Sequence, residues 1–290
     1  MTRKSKQSIL WPVALLLLGP SAVHAGTGSS PEAIRSAIAS NSVDAISAEL
    51  ERAERLRCGS CVQDVRPLVD HADARVRRVA AWWLSRRGLR NDLFIEMAVR
   101  LGQPDSRRAE AAADVLGSLR HPLSAEPLGA ALLNPAFDVP ARIAMAAALG
   151  RIGSEEARAP LRTATADPEA RVRAAALTGL RALRGPIEAD LSIDKLADSD
   201  EAVRIEAIYT LGAGRGLGLS EATRARGTTA LVRLLANDKS PRVRRKAAWA
   251  IGEIRSTATA AAAPLGTAIK RDTDASVRSL AHAALSKLSR

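Results

Sequence analysis

One pattern recurs along this chain of 290 residues: Val-Arg-x-x-Ala-x-x-Ala-Leu-Gly, with an Asp five residues before the Val. The copies begin at Val76, Arg108, Ala141, Val172, Val203, Val243 and Val277. The copies at Val172, Val203, Val243 and Val277 are the clearest and carry the Asp, the copy at Val76 has His71 in the Asp position, and the copy at Arg108 is degenerate. A recurrence about every 31 to 40 residues predicts a stack of small supersecondary units rather than one thick globular core.

Each copy predicts one amphipathic helix. Positions 0, 4, 7 and 8 of the pattern share a face of a 3.6-residue helix, and they carry Val, Ala, Ala and Leu. We expect the Asp to lie in the turn before the helix, where it can accept free backbone N–H groups. The Gly after the Leu suits close helix packing or the helix end. A shorter apolar segment precedes each copy, often with Pro-Leu as in Pro127-Leu128, and predicts the first helix of a pair.

Composition agrees with a thin, layered, all-α architecture. Aromatic residues make up 2% of the chain, whereas Ala, Leu and Arg are abundant. A chain this poor in large side chains favours many helix-on-helix layers in which alanines allow close approach. We therefore predict an α-solenoid, a superhelix of about seven helical hairpins that must stack to bury their apolar faces.

The repeated pattern resembles HEAT repeats of the short type found in phycobilisome-lyase-like proteins. The resemblance covers roughly residues 61–288. Ankyrin and tetratricopeptide repeats have similar periods, but their signatures are missing. The family includes binding scaffolds, lyase subunits and an iron hydroxylase, so the resemblance implies the fold more strongly than a function. No His-Glu pair of the hydroxylase type occurs in this chain.

The repeats predict three segments. Residues 1–25 combine a basic start, a short apolar run and Val23-His24-Ala25, which is typical of a signal peptide cleaved after Ala25. Residues 26–60 have helical spacing and predict an N-terminal capping helix pair. Residues 61–290 hold the repeats, interrupted near 212–226 by a glycine-rich insertion that we expect to form a loop.

The predicted export constrains the partner. We expect a periplasmic or secreted protein that does not span a membrane, since the apolar run is shorter than the roughly 20 residues required. Net charge is +12, but export and the even spread of arginines argue against nucleic acid as the partner. An acidic protein or an anionic envelope surface fits the charge better.

Function is predicted at the second helices, which normally line the concave face of a solenoid. Positions 2, 6 and 10 of the pattern point away from the buried face, and aromatic and arginine side chains there are typical of binding hot spots. The partner-binding candidates are Arg78, Trp82, Arg86, Tyr209, Arg245, Trp249 and Glu253. The alternative is that the aromatic residues fill gaps between helices. The motif arginines, such as Arg173, are interpreted as structural, bridging carbonyls and aspartates of the next turn.

Cys58 and Cys61 form Cys-Gly-Ser-Cys and are the only cysteines. In an oxidising compartment they favour a disulfide that joins the cap to the first repeat. A redox-active dithiol is the alternative. Two thiolates with His71 nearby fall short of the four ligands of a structural zinc site.

Catalytic motifs are otherwise missing: His71, His121 and His282 are scattered, and no Walker loop or Gly-x-Ser-x-Gly elbow occurs. We therefore predict no metal and no cofactor. The leading hypothesis is an exported, non-catalytic protein-protein interaction scaffold or adaptor. The alternative is an enzyme-linked role, through redox chemistry at the cysteines or as a lyase or oxidoreductase subunit by family resemblance.

Overall fold

The computed structural model describes residues 28–183, 188–212, 219–254 and 258–289. The predicted signal peptide lies outside these residues, as do positions 213–218 of the predicted insertion. All regular structure in the described residues is helical, which confirms the all-α prediction. None of the described helices is long and apolar enough to cross a bilayer.

Within the described ranges, seven helical hairpins follow one N-terminal pair, as the repeat pattern predicts. The N-terminal pair is α1 (Pro31–Ala39) and α2 (Val43–Arg52). The first helices of the hairpins are α3 (Cys61–Val65, continued by a 3-10 turn over Arg66–Asp70), α5 (Arg90–Leu101), α7 (Ala125–Leu132), α9 (Arg158–Ala164), α11 (Ala189–Lys195), α13 (Glu221–Asn237) and α15 (Ala258–Arg271). The second helices are α4 (Ala74–Leu84), α6 (Ser106–Leu119), α8 (Val139–Ile152), α10 (Ala170–Ala182), α12 (Glu201–Gly212), α14 (Pro241–Ile254) and α16 (Ala275–Leu288).

The motif residues form the core as expected. In α14, Val243, Ala247, Ala250 and Ile251 occupy positions 0, 4, 7 and 8, and each is at most 1% exposed. Their small average size keeps every layer thin, so the buried face of each hairpin is completed only by its neighbours.

The motif aspartates lie in the turn before the second helix and accept a backbone N–H there, as predicted, but a different residue caps the helix. The N-cap lies three residues before the motif Val, as at Asp274, whose carboxylate accepts hydrogen bonds from Ser276 N and Val277 N. The motif Asp272 instead accepts the N–H of Asp274 within the turn. The two carboxylates therefore have different roles: Asp272 stabilises the turn, and Asp274 accepts the free N–H groups at the start of the helix.

The motif arginines join successive repeats, which confirms their structural interpretation. The Arg173 guanidinium donates to both carboxylate oxygens of Asp198 (2.9 and 2.7 Å) and to the carbonyls of Asp167 and Pro168 (3.0 Å each). The same arrangement pairs Arg204 with Asp238 and Arg244 with Asp272. We call these three, together with the Arg142–Asp167 ion pair, the inter-repeat pairs. Bidentate geometry fixes the angle as well as the distance between repeats.

Glycines allow the second helices to approach each other closely. A Cβ at Gly150 would lie 2.9 Å from the Cα of Gly179 on the next second helix, and one at Gly117 would lie 2.9 Å from the Cα of Ala148. The second helices also pack against one another more extensively than the first helices do. The more closely spaced layer of a curved stack is its concave side, so the second helices line the concave face.

The predicted insertion is shorter than the sequence pattern suggests. Ser220 caps α13, so residues 221–226 are helical rather than part of a loop. The glycines just before this stretch led the sequence pattern to be interpreted as a longer loop, although the basic and polar residues themselves are compatible with an exposed helix. Gly212 ends α12 and packs under Trp249, whose Cζ3 would lie 2.4 Å from a Cβ at position 212.

Candidate functional site

A groove of about 930 Å³ crosses the concave face where the cap meets the first three repeats. Four consecutive second-layer helices contribute to it, beginning with α2 of the cap. We define the inner groove by its lining side chains at Ser47, Glu51, Glu54, Arg75, Arg78, Val79, Trp82, Ser118, Arg120 and Arg151, with Gly117 at its floor. A neighbouring depression of about 670 Å³ between α8 and α10 shares Arg120 and Arg151 with it.

Three arginines converge on one carboxylate below the groove. Asp114, 3% exposed, accepts hydrogen bonds at Oδ2 from Arg77 (2.6 and 3.1 Å). Its Oδ1 is shared by Arg78 at 3.0 Å and Arg151 at 3.3 Å. Arg77 has a second carboxylate partner, Glu110, at 2.7 Å. Positive charge therefore exceeds negative charge at this point of the concave face.

Arg151 packs directly against the backbone of α6, because Gly117 has no side chain to keep it away. A Cβ at Gly117 would lie 2.7 Å from the Arg151 Nε, and that Nε is buried without a hydrogen-bond partner. Burial lowers the pKa of Arg151, an effect that Asp114 opposes and that nearby Arg78 and Arg120 reinforce. The guanidinium stays charged at neutral pH because its ordinary pKa is so high.

Trp82 lines the inner groove, and Arg86 lies over its ring just outside the lining residues. Trp82 is half-buried, and the Arg86 guanidinium carbon lies 4.9 Å from its ring centroid. Arg86 also forms an ion pair with Glu54 at 3.1 Å. Trp82 and Arg86 therefore place an apolar surface beside a charged one.

The adjacent Trp83 occupies core position 7 of the first copy, and its hydrogen bond to the cap is not revealed by the sequence pattern. Trp83 is fully buried, and its Nε1 donates to the Ala53 carbonyl at 3.2 Å. The Arg87 guanidinium lies 3.2 Å from the Trp83 ring centroid and donates to the carbonyls of Ala53 and Leu56. Burial, with a smaller effect of Arg86, lowers the pKa of Arg87 to about 10. Arg87 therefore remains protonated at neutral pH and joins the cap to the first repeat.

The other candidate aromatics lie in the fifth and sixth repeats, away from the inner groove. Tyr209 and Trp249 meet edge to face with centroids 5.6 Å apart, and Lys246 Nζ lies 4.7 Å from the Tyr209 centroid. Both rings are half-buried. Because Trp249 covers Gly212, part of its surface fills a gap between helices, as the alternative interpretation predicts.

The remaining partner-binding candidates lie on α14 beside Trp249. Arg245 and Glu253 are both half-buried, and Glu253 forms an ion pair with Lys287 of the last repeat. The candidate residues thus form two separate groups, one in the first repeat and one in the fifth and sixth.

Cys58 and Cys61 lie together at the junction of the cap and the first repeat. Their sulfurs are within disulfide distance and their Cα atoms are 5.3 Å apart. Cys61 is fully buried and Cys58 is 9% exposed, which leaves little thiol surface for an incoming disulfide substrate.

The described histidines His71 and His121 make local contacts within their own repeats or with a neighbouring one. His121 stacks on Phe94 with ring centroids 4.3 Å apart, and burial with nearby Arg90 lowers its pKa. His71 Nδ1 accepts the N–H of Asp73 in the turn before α4. Within the described ranges, no three His, Cys, Asp or Glu side chains are grouped closely enough to hold a metal ion.

Sequence reasoning missed Asp114, Arg120 and Arg151, although the signal for two of them was available. Positions 2, 6 and 10 of the second copy are Glu110, Asp114 and Ser118, and position 10 of the third copy is Arg151. The register that selected Arg78, Trp82 and Arg86 therefore selects these residues too.

Comparison with known proteins identifies the class of protein. The family model described as HEAT repeats matches residues 125–191 and 189–286. These ranges cover more than half of the chain, and the chain belongs to the HEAT repeat family. A search of curated proteins finds no match.

Solved structures agree on the fold. The Escherichia coli protein YIBA is 17% identical over 90% of this chain and 93% of its own, with a TM-score of 0.54. Importin beta is 14% identical with a TM-score of 0.59, and the match covers 89% of this chain but 41% of importin beta. An engineered protein is 18% identical with a TM-score of 0.50, covering 89% of this chain and 78% of its own. At these identities the similarity shows the HEAT/armadillo-like solenoid alone.

Proposed function

We propose that this protein is an exported, non-catalytic scaffold or adaptor that binds a protein partner on its concave face. The inner groove is the observation that carries the proposal. It joins an indole, several arginines and two glutamates across four consecutive helices of the concave layer. An extended surface of this kind suits a macromolecular partner, because the groove runs across several repeats.

The proposed compartment is the periplasm or the extracellular space, with the signal peptide removed after Ala25. In such a compartment Cys58 and Cys61 stay oxidised as a structural disulfide. Their burial supports this role over redox catalysis. Comparing the intact mass of the secreted protein with that of the full chain tests the cleavage site, and an uncleaved or cytoplasmic product would contradict it.

Site-specific photocrosslinking tests the binding face. A photoreactive phenylalanine analogue replaces Glu51, which is exposed and lines the inner groove, and in a second protein replaces Ile95, which is 60% exposed on the first-helix layer. Both proteins are expressed in the source cell and irradiated, and the adducts are identified by mass spectrometry.

We expect a discrete protein adduct from position 51 and none from position 95. Addition of Trp82→Ala and Trp249→Ala should weaken the adduct without changing helicity, as measured by circular dichroism. An adduct from position 95 alone would overturn the concave-face proposal.

Replacing Cys58 and Cys61 with serine separates the scaffold from a redox enzyme. The loss of a disulfide across so short a loop should lower the free energy of unfolding by about 2 kcal/mol. The position-51 adduct should persist at a temperature where the variant is folded. Retained stability together with loss of an oxidoreductase activity would favour the enzyme-linked role instead.

A further inference from the structure

We propose that the inner groove binds an acidic segment of the partner protein. Arg78, Arg120 and Arg151 receive its carboxylates, and Trp82 receives a neighbouring apolar side chain. This inference rests on the proposed function and adds the chemistry of the partner. The occupant is a peptide segment rather than a lipid surface, because the arginines line a groove between helices and not an exposed, flat patch.

The arginines of the inner groove have many unused hydrogen-bond donors. A guanidinium offers five N–H groups. Arg78 and Arg151 each donate one side-chain hydrogen bond, in both cases to the shared Oδ1 of Asp114. The Arg120 side chain is exposed and has no acidic partner among the described residues, whereas the Arg151 Nε is buried against Gly117 and only the rest of that guanidinium faces the groove. Carboxylates are the acceptors that match such donors in geometry and charge.

The backbone holds Arg120 at the edge of the groove. Arg120 ends α6 in the left-handed region, at φ 47°, and its carbonyl accepts a hydrogen bond from Arg90 at 2.8 Å. Its side chain therefore begins from a fixed point between α6 and α8, where the inner groove meets the depression shared with α10. A carboxylate there would replace the missing counter-charge of two arginines at once.

Charge also gives the bound segment a direction. The cap end of the groove carries Glu51 and Glu54, of which Glu54 is paired with Arg86. The end near α6 and α8 carries the surplus of arginine. An acidic side chain would be repelled at the first end and attracted at the second. Trp82 lies between the two ends, so an apolar residue of the segment fits next to the carboxylates.

Fluorescence anisotropy with the folded mature protein tests the inference. The probe is a fluorescein-labelled peptide of four glutamates followed by a leucine, and the matched probe has glutamines in place of the glutamates. We expect the glutamate probe to bind at least about tenfold more tightly at low salt. Raising the salt concentration should reduce that difference.

The variants locate the binding site. Arg120→Gln and Arg78→Gln should each weaken binding of the glutamate probe about tenfold, and Trp82→Ala about fivefold. The matched control is Arg171→Gln, which removes the same charge from an exposed position on α10 and should change the affinity less than about twofold. Melting curves establish that each variant remains folded.

Three outcomes would overturn the inference. The first is equal binding of the two probes, and the second is an equal effect of Arg171→Gln and Arg120→Gln. The third is Arg120-dependent binding of heparin or of phosphatidylglycerol vesicles with no binding of the glutamate probe. A position-51 adduct obtained despite any of these would leave the scaffold function intact and remove only the acidic-segment assignment.

Discussion

The second repeat and the later repeats join the stack in different ways. From the third repeat onward, a motif arginine reaches the aspartate in the turn of the next repeat, and one carboxylate serves one arginine. Between the first and second repeats, Arg77 instead reaches Asp114 in the middle of α6. That carboxylate also serves Arg78 and Arg151.

The difference follows from two changes in one degenerate copy. The second copy has Gln103 where the motif Asp belongs and Ala109 where the motif Arg belongs. The carboxylate that receives the arginine is therefore Asp114 in the middle of α6, on its concave side, and not a residue of the turn before α6. A pair that only holds repeats together has thereby become a cluster that also reaches a surface groove. Regular repeats build the stack, and the irregular repeat supplies its most distinctive surface.

Asp114→Asn should have the largest effect on stability. The substitution leaves three converging arginines without their shared charge, and breaking a buried ion pair costs about 4 kcal/mol. Urea unfolding followed by circular dichroism measures the change in the free energy of unfolding. Glu110→Gln is the control, because Glu110 is 35% exposed and serves Arg77 alone, so its loss should cost less than about 1 kcal/mol. Similar values for the two variants would contradict the central place of Asp114.

Asp272→Asn should have the next largest effect, about 3 kcal/mol, because it breaks one bidentate inter-repeat pair whose side chains are 14% and 7% exposed. One arginine loses its only carboxylate here, against two at Asp114, where Arg77 keeps Glu110 as a second partner. An effect larger than that of Asp114→Asn would reverse the comparison between the two kinds of junction.

The same pairs predict how stability depends on pH. The hydrogen bond from Arg244 lowers the pKa of Asp272, and at Asp198 the bonds from Arg173 and the turn outweigh the opposing effect of burial to lower its pKa too. A carboxyl with a lowered pKa contributes stability above its unfolded value of about 3.9, and the contribution is lost as the pH falls through the folded value. The free energy of unfolding should therefore fall below about pH 4, and less steeply in Asp272→Asn. An unchanged slope would show that the pair does not govern acid unfolding.

Gly150→Ala should have a smaller effect, about 2 kcal/mol, because the new methyl group meets the backbone of Gly179 in the close-packed second-helix layer. Gly266→Ala is the matched control on the first-helix layer. A Cβ there meets nothing within 4 Å, so the higher helix propensity of alanine should raise stability by up to about 1 kcal/mol. Thermal melts of the two variants should shift in opposite directions. Equal shifts would contradict the assignment of the second helices to the crowded, concave side.

The sequence was informative wherever one repeat determines its own structure. The helix period of the motif predicts the buried positions of α14, and the Val-Arg spacing predicts that Arg173 reaches the next turn. Those contacts depend on a local pattern that recurs. The convergence of Arg78 and Arg151 on Asp114 depends instead on how three helices are aligned in the stack. No single copy of the motif contains that information, so only the stacked structure reveals it.

The capping pair shows the same limit. Its helices follow from apolar spacing, but the role of Trp83 depends on the carbonyl of Ala53, thirty residues earlier. Trp82 and Trp83 are adjacent residues of the same type, and they differ only in the face of α4 on which they lie. Helical register predicts which of them is buried, whereas the hydrogen-bond partner of the buried ring requires the fold.

One crossed measurement tests the division between stacking and binding most directly. The affinity for the glutamate probe and the free energy of unfolding are measured together for Arg120→Gln, in the groove, and for Arg173→Gln, in an inter-repeat pair. We expect Arg120→Gln to lose about tenfold in affinity with little change in stability, and Arg173→Gln to lose about 3 kcal/mol of stability with its affinity retained. If both variants lose affinity and stability in parallel, the irregular repeat is only another structural junction and the account is wrong.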